Sequence, residues 1–265
     1  MQNVKVIVTL GPSTRTEGHL RKMKDSGVDF VRANMSHSTL ADQIYFMQMA
    51  KKVGISFMLD TEGSQVRNGD LKDGKVFFEE GSDVRLYQKA IMGDKTKMSL
   101  QPSSIVLQLE EGDLVYVDFN SLILRVLDTS MGKKDGYVVA EAVASGTAGS
   151  HKAVVIDSAL QRKYNLPSLS PKDSRAITRA LREGAEYLAL SFVRSAEDIR
   201  RARKQTKNRM RIIAKIECTD ALNNLSEIIE EADALLIDRG DLSKEIPIER
   251  IPFAQKTIIR QARKK

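Results

Sequence analysis

The sequence predicts an α/β protein in which six strand–helix units of an incomplete (β/α)8-type TIM barrel are interrupted by a small, inserted, all-β barrel domain. Three observations support this fold class. Strands and helices alternate over residues 1–67, short strands separated by turn residues fill residues 68–152, and the alternation resumes over residues 153–265. The 265 residues suffice for one barrel-sized core with a smaller insert.

The first part of the barrel contains three strands and two helices. The strands are expected at 4–10, 28–33 and 55–60, with one helix ending near Ser26 and another over 40–53. Gly11 and Pro12 end the first strand, and either Thr14 or Thr16 can cap the following helix. Repeated alternation of this kind indicates a parallel sheet covered by helices.

The insert is predicted from a change of pattern after Arg67. Its candidate strands alternate apolar and polar residues between Gly, Asp and Asn, at 75–80, 83–88, 104–109, 113–119, 122–128 and 136–143. The insert is expected to end near Lys152.

The second part of the barrel returns to the strand–helix pattern. Strands are expected at 187–193, 210–215 and 234–238, and helices from Pro171, from Ala196, over 225–231 and over 249–264. A closed barrel of this type has eight units, so six units predict an open one.

Composition excludes several classes of protein. No apolar run approaches the roughly 18 residues of a membrane span, and no signal-peptide pattern follows the first strand, so we expect a cytoplasmic protein without membrane contact. Cys218 is the single cysteine and there are three histidines, which leaves no disulfide and no thiolate or imidazole zinc site. A metal would be a hard cation held by oxygen ligands.

The net charge of +7 favours anionic partners, and part of it lies in RRARKQTKNRMR at 200–211. Nucleic acid is one interpretation of that segment. A solvated basic helix is the preferred one, because the segment has no interleaved aromatic residues, and we predict no nucleic-acid partner. Small phosphorylated substrates would also explain a positive surface.

Polar residues follow five of the predicted barrel strands, at the ends where barrel enzymes place their sites. They are Arg32, Asn34, Ser36 and His37 after strand 2; Asp60 and Thr61 after strand 3; Ser191 and Arg194 after strand 4; Lys215 and Glu217 on strand 5; and Asp238, Arg239 and Asp241 after strand 6.

Glu217 and Asp241 are carboxylates from neighbouring strand ends that can hold a Mg²⁺. Lys215 lies two residues before Glu217 and points to the same face, where it can stabilise a transferring phosphoryl group or an enolate. A buried Lys–Glu–Asp ion network is an equally open interpretation.

The remaining candidates each have two interpretations. Arg32 can fork onto a phosphate or form a salt bridge with a nearby carboxylate. Lys152 can reach a phosphate from the insert or be an exposed turn lysine. The oxygens of a second, monovalent cation site can come from Asn34, Ser36, Asp60 and Thr61, although caps and turns also explain these residues.

Seven blocks in order resemble the pyruvate kinase family. They are VTLGPST at 8–14, VRANMSHS at 31–38, LDTEGSQVR at 59–67, LPSLSPKD at 166–173, LSFVRSAEDI at 190–199, IIAKIE at 212–217 and DRGDLSKEIP at 238–247, with FAQK at 253–256. The resemblance covers nearly the whole chain outside the insert.

The resemblance implies a barrel A domain, a β-rich B domain that acts as a lid, and phosphoryl transfer from phosphoenolpyruvate to ADP with Mg²⁺ and often K⁺. By position, it gives Arg32 to the substrate phosphate, Lys215 to the transferring phosphoryl group, and Gly240 with Asp241 to the substrate carboxylate. The resemblance assigns Glu217 and Asp241 as ligands of Mg²⁺. It assigns K⁺ to the oxygens of Asn34, Ser36, Asp60 and Thr61. It assigns contacts with the nucleotide phosphates to Arg67 and Lys152. A homo-oligomer is also expected.

The chain departs from the family pattern beside these residues. Glu62, Ser64 and Gln65 replace lysine, proline and glutamate, which reverses one charge and removes another beside the residues expected to hold K⁺. Asp238 replaces an alanine, Ser243 a glycine and Cys218 an asparagine. The family continues into two more barrel strands and a C domain, so a fragment and a short chain whose barrel is closed by another chain are both open.

Two rival functions remain. One is a divergent enzyme that handles phosphoenolpyruvate or pyruvate at a metal but serves another acceptor, which Asp238, Glu62 and Gln65 suggest. The other is a non-catalytic binding module.

Overall fold

A computed structural model describes residues 4–157 and 164–265, and the chain forms two compact units. The barrel unit consists of the described residues of Met1–Ser64 and Ser168–Lys265. The insert unit consists of the described residues of Gln65–Pro167.

The barrel unit is built on one sheet of six parallel strands arranged in chain order. These are β1 (Ile7–Thr9), β2 (Phe30–Asn34), β3 (Ser56–Asp60), β4 (Tyr187–Leu190), β5 (Arg211–Ile216) and β6 (Ala234–Ile237). Six parallel strands in this order confirm the predicted incomplete (β/α)8-type fold.

Helices follow the strands of the barrel sheet along the chain. They span Glu17–Asp25, Leu40–Val53, Pro171–Glu183, Ala196–Gln205, Thr219–Asn223, Leu225–Glu231, Arg239–Leu242 and Ile251–Ala262. Thr16 and not Thr14 caps the first of them, by accepting a hydrogen bond from the backbone of His19. Among the described residues, no helix combines the length and the hydropathy required to cross a bilayer.

The two faces of the barrel sheet differ in chemistry. Residues alternate along each strand, so the apolar Val31 and Ala33 of β2 belong to the core between sheet and helices, whereas Phe30, Arg32 and Asn34 share the opposite face. On that second face a small apolar cluster, Met58, Ala189 and Ile213 with Phe30, Tyr187 and Leu236, precedes the polar strand ends. The polar residues therefore sit on top of an apolar layer.

The insert unit is β-rich, as predicted. A seven-stranded sheet contains, in spatial order, Val154–Asp157, Leu114–Val117, Leu122–Asp128, Tyr137–Ala142, Asp83–Tyr87, Lys97–Gln101 and Arg67–Asn68. Gly146–Gly149 pairs separately with Lys75–Phe78, and a short helix spans Gly132–Asp135. The fifth and sixth strands in this order, Asp83–Tyr87 and Lys97–Gln101, run parallel, while the other pairs are antiparallel.

One predicted strand of the insert is wrong. Residues 104–108 lie in a 3-10 helix, Ser103–Gln108, in which Ile105 and Val106 are buried, and Leu109 caps its end. A short apolar run fits a strand and a helical turn equally well, and Pro102 begins the turn here. The prediction also missed the strand Lys97–Gln101, whose sequence KMSLQ has little β-branched character.

The insert unit extends beyond the expected 68–152 at both ends. Val154–Asp157 pairs with Leu114–Val117, and Tyr164 and Leu166 pack against the insert core. These contacts give residues after Lys152 to the insert instead of the barrel.

The basic segment 200–211 forms the second half of one helix, the turn after it and the first residue of β5. Arg200 pairs with Glu231, Arg201 with Glu197 and Arg203 with Asp233, all at the surface. These ion pairs favour the solvated-helix interpretation.

Candidate active site

The carboxyl-terminal ends of β2 to β5 bring their polar residues together on the inner face of the barrel sheet. Asn34 lies opposite Asp60 in the strand register, and Asp60 lies opposite Ala189 on its other side. Ser191 follows β4 directly, and Lys215 on β5 reaches its hydroxyl at 2.9 Å. Four strands thus contribute to one polar layer.

Lys215 is the centre of this layer and is only 2% exposed. Its Nζ lies 3.2 Å from Asp60 Oδ1 and 2.8 Å from Glu217 Oε1, and it donates to Ser191 Oγ. Burial alone would lower the pKa of Lys215, but the Glu217 and Asp60 carboxylates raise it, so the ammonium stays charged. A buried ion network is therefore present, but its aspartate is Asp60 and not Asp241, which pairs with Lys244.

Asp60 has no exposed surface and faces two cations. Arg32 Nη1 lies 2.8 Å from its Oδ2, while Lys215 holds its Oδ1. Burial raises the pKa of Asp60, and the two cations counteract that shift. The salt-bridge interpretation of Arg32 is thus realised in this structure, and Thr9 Oγ1 accepts a further hydrogen bond from Arg32 Nε at 2.9 Å.

Glu217 is fixed by the backbone on one side only. Its Oε2 accepts a hydrogen bond of 2.7 Å from the N–H of Phe192. Its Oε1 is buried and is paired with the Lys215 ammonium, whose Nζ lies 2.8 Å away. Burial raises the pKa of Glu217 to about 7, against the opposing effect of Lys215.

Three carboxylates meet where β5 and β6 end. One ligand oxygen from each of Glu217, Asp238 and Asp241 lies within 4.8 Å of the others. Asp241 also forms an ion pair with Lys244. Three carboxylates this close together suit a divalent cation with oxygen ligands.

Asp238 caps the four-residue helix Arg239–Leu242 that contains Gly240 and Asp241. Its Oδ1 accepts from the Asp241 N–H at a long 3.4 Å, and its Oδ2 lies 4.0 Å from Lys215 Nζ. One of the amides expected to cradle the substrate carboxylate therefore points to Asp238 here.

The predicted monovalent-cation residues lie on adjacent strand ends. Asn34 Oδ1 accepts from the Ser36 N–H at 2.7 Å, which is a capping interaction. Thr61 is buried and its Oγ1 accepts from the Ser191 N–H. His37 is exposed on the same turn as Ser36. The role of these residues as cation ligands stays a prediction.

Sequence reasoning missed the residues that hold the loop after β3. Asp173 is fully buried and accepts hydrogen bonds from the N–H groups of Glu62 at 2.9 Å and Gly63 at 3.1 Å. Lys172 Nζ lies 3.1 Å from Glu62 Oε2 and also donates to the carbonyl of Met35. The negative charge of Glu62, at the position where the family has a lysine, is therefore paired with Lys172 of this chain.

Position 63 requires a glycine because the backbone of Ser191 approaches it closely. The φ of Gly63 is 68°, and a Cβ placed there would lie 2.8 Å from the carbonyl oxygen of Ser191. The loop after β3 is thus pressed against the end of β4. In the sequence, the signal for Asp173 was the capping pair of Ser170 and Asp173, which indicated a helix start but not this tertiary role.

In the insert unit, the structure brings Arg67 and Lys152 onto neighbouring segments. Asn68 and Lys152 are joined by two backbone-directed hydrogen bonds, and Arg67 Nη1 donates to the carbonyl of His151 at 3.0 Å. Lys152 Nζ lies 3.4 Å from Asp118 Oδ2 and is partly exposed.

Comparison with known proteins gives a consistent result. A family model described as "Pyruvate kinase, barrel domain" matches residues 1–265. The chain is 32% identical to a pyruvate kinase of Staphylococcus saprophyticus, 30% to one of Staphylococcus haemolyticus and 29% to one of Staphylococcus aureus, in each case over 100% of this chain. It spans 46% of the length of these relatives.

Proposed function

This chain belongs to the pyruvate kinase family, and from that premise we propose that it serves phosphoryl transfer from phosphoenolpyruvate to ADP, giving pyruvate and ATP. The observation that carries the proposal is the buried, charged Lys215 held between Asp60 and Glu217 at the ends of the barrel strands. A fixed cation in a water-poor site stabilises the charge of a phosphoryl group in transfer without reorganising.

In this reaction the bond between phosphorus and the enol oxygen breaks, and a bond from phosphorus to a terminal oxygen of ADP forms. Lys215 would donate to the oxygens of the transferring group, and Arg32, held by Thr9 and Asp60, would contact the same phosphate from β2. The enolate left behind takes a proton at carbon and becomes pyruvate.

Glu217 and Asp241 would hold the Mg²⁺, as part of the carboxylate cluster. When bound, the ion would neutralise phosphate and carboxylate charge on the substrate. Gly240 and Asp241 would contact the substrate carboxylate. Asn34, Ser36, Asp60 and Thr61 would contribute oxygens to a K⁺ ion, with Gln65 in place of the family's glutamate.

Arg67 and Lys152 would contact the nucleotide phosphates, since the half-buried Arg67 and the exposed Lys152 carry positive charge on adjoining segments of the insert. The proposal also includes a cytoplasmic location and a homo-oligomeric assembly, which the resemblance to pyruvate kinases implies.

The test is coupled pyruvate formation from phosphoenolpyruvate and ADP with Mg²⁺, with and without K⁺. We expect turnover that Lys215→Ala abolishes, while Lys204→Ala, a change of an exposed lysine on the basic helix, has no effect. Unchanged turnover in Lys215→Ala would refute the role of Lys215.

Two other outcomes distinguish the rival functions. Metal-dependent consumption of phosphoenolpyruvate without use of ADP would favour an enzyme with another acceptor, which the additional carboxylate Asp238 makes a specific possibility. Binding of phosphoenolpyruvate by a folded chain without any turnover would indicate a binding module.

A further inference from the structure

We propose that Asn68 is a positioning residue for the nucleotide, which holds Lys152 and Arg67 in fixed relative positions through its hydrogen bonds to the turn at 149–152. The inference rests on the proposed function, because it concerns the two residues proposed there to contact the nucleotide phosphates. It deepens that function by adding a third residue, which acts through the other two and contacts no ligand itself. All of these residues belong to the insert unit.

Asn68 is a polar residue at a position that packing alone would give to an apolar one. It lies in the short strand Arg67–Asn68 and is 1% exposed. Val66 and Leu71, on either side of it along the chain, belong to the apolar core of the insert. Asparagine is depleted in strands, and a buried amide is costly unless it is hydrogen-bonded. The side chain of Asn68 therefore has its role in the bonds it makes.

Both ends of the Asn68 amide bind the turn that carries Lys152. Its Nδ2 donates to the carbonyl of Gly149 at 2.8 Å, and its Oδ1 accepts from the N–H of Lys152 at 2.6 Å. The backbone N–H of Asn68 also donates to the carbonyl of Lys152 at 3.1 Å. One residue thus holds both backbone groups of Lys152 and the other end of the turn. Only an amide of this size supplies the donor and the acceptor together.

The guanidinium of Arg67 is fixed to the same turn. Its Nη1 donates to the carbonyl of His151 at 3.0 Å. His151 has a φ of 58°, a left-handed conformation that residues other than glycine rarely adopt and that surrounding contacts have to maintain. The bonds of Asn68 to Gly149 and Lys152 lie on either side of His151 along the chain. The carbonyl that holds Arg67 is therefore kept in place by the same amide.

The consequence for a nucleotide follows from preorganisation. The side chain of Lys152 is 46% exposed and lies beside Asp118, so its ammonium can reach a ligand while its backbone stays anchored. A binding group on a fixed backbone loses less conformational freedom when the ligand arrives. Without the Asn68 amide, the nucleotide would have to order the turn as well. The affinity for ADP should then fall, although Asn68 contacts no phosphate.

The experiment is titration of the chain with ADP, followed by isothermal titration calorimetry. Lys152→Ala removes a charged hydrogen-bond donor and should weaken ADP binding by about tenfold. Asn68→Ala should weaken it by a similar factor. The decisive measurement is the double variant. Because Asn68 acts largely through Lys152, Asn68→Ala should cost about threefold or less once Lys152→Ala is present, whereas independent effects would multiply to about a hundredfold.

The matched control is Gln88→Ala. Gln88 is another half-buried amide of the insert, and its Nε2 donates to the distant carbonyl of Gly132 at 2.9 Å. Its loss should leave ADP affinity unchanged. Circular dichroism and urea unfolding check that each variant is folded. If Asn68→Ala unfolds the insert, Asn68→Asp serves in its place, since it has the same size and keeps the acceptor for Lys152 but lacks the donor to Gly149; the same dependence on Lys152 is expected.

The outcomes separate the inference from the proposed function. Unchanged ADP affinity in the Asn68 variants, together with a loss in Lys152→Ala, would overturn the role of Asn68 and leave the nucleotide contact in place. Independent, multiplying effects would show that Asn68 acts on stability alone. Unchanged affinity in both single variants would place the nucleotide elsewhere and refute the contacts of the proposed function. Absence of ADP binding by the wild-type chain would refute both.

Discussion

Replacement of Asp173 by asparagine should destabilise the barrel unit by about 1–3 kcal/mol, because asparagine has one acceptor oxygen where the carboxylate uses two. Oδ1 of Asp173 accepts from the N–H of Glu62, while Oδ2 accepts from the N–H groups of Gly63 and Ser170, all at 2.9–3.1 Å. In its better orientation the amide oxygen serves Gly63 and Ser170. The Glu62 N–H then loses its partner and meets an NH₂ group instead.

Asp198 supplies the matched control. It occupies the equivalent place in the next helix, but both of its backbone hydrogen bonds, from Arg194 and Ser195, go to Oδ2. An asparagine can keep both by turning its single oxygen to the same position. We therefore expect Asp198→Asn to cost less than about 1 kcal/mol.

The assay uses Cys218 as a local reporter, because it is the single cysteine and lies in the barrel core, 3% exposed. The rate of its reaction with a thiol reagent, measured against urea concentration, gives the free energy of opening of the barrel unit. Equal destabilisation by Asp173→Asn and Asp198→Asn would refute the argument that two oxygens of Asp173 join the helix start to the loop after β3.

Three further predictions concern charge and burial. Glu62→Lys, which restores the family's residue, should destabilise the chain by about 1 kcal/mol, because Lys172 lies 3.1 Å from Glu62 at a partly exposed site. Lys172→Glu in the same chain should reverse this loss of stability. Equal costs of Glu62→Lys with Lys172 and with Glu at position 172, measured by urea unfolding, would contradict the argument. The pKa of Glu217 is about 7 in the folded chain against an ordinary 4.5, so the folded state binds the extra proton between these values. The stabilisation that this proton gives is complete below pH 4.5 and is lost as the pH rises through about 7. Thermal unfolding in EDTA should show a melting temperature that falls over this pH range, and Glu217→Gln should flatten the fall. A melting temperature that still falls with pH in the variant would point to another titrating group. Burial raises the pKa of the Cys218 thiol to about 12. Iodoacetamide at pH 8 should therefore leave Cys218 unlabelled in the native chain and label it in 6 M urea. Rapid labelling of the native chain would show that the barrel core is open.

The sequence predicted the barrel unit better than the insert, for a physical reason. In the barrel, strands of β-branched residues alternate with helices that have clear caps, and the helix 40–53 matches Leu40–Val53. In the insert, short segments such as 104–109 have no period long enough to distinguish a strand from a helical turn. Strand Val154–Asp157 was missed as part of the insert because membership depends on pairing with Leu114–Val117, a distant segment.

The candidate site was predictable as far as residues follow the strand ends. Lys215, Glu217 and Asp60 were found because parallel strands deliver their carboxyl ends to one edge. The contacts among these three side chains could not be predicted, because spacing along the chain does not give distances between strands. Asp173 and Lys172 lie at the start of a helix, and only tertiary packing brings them to the loop after β3.

The insertion between β3 and β4 has a consequence for the order in which the chain folds. Thr61 donates a hydrogen bond to the carbonyl of Ala189, 128 residues further along the chain. Closing so long a loop is slow when the intervening chain is unfolded. Within the insert, Val66 is already hydrogen-bonded to Val154, so an insert that folds first leaves a free loop about threefold shorter. This lowers the entropic cost of joining β3 to β4 by roughly 1 kcal/mol. The two halves of the barrel sheet should therefore meet after the insert has formed, and mutations that unfold the insert should slow the assembly of a sheet to which it contributes no strand.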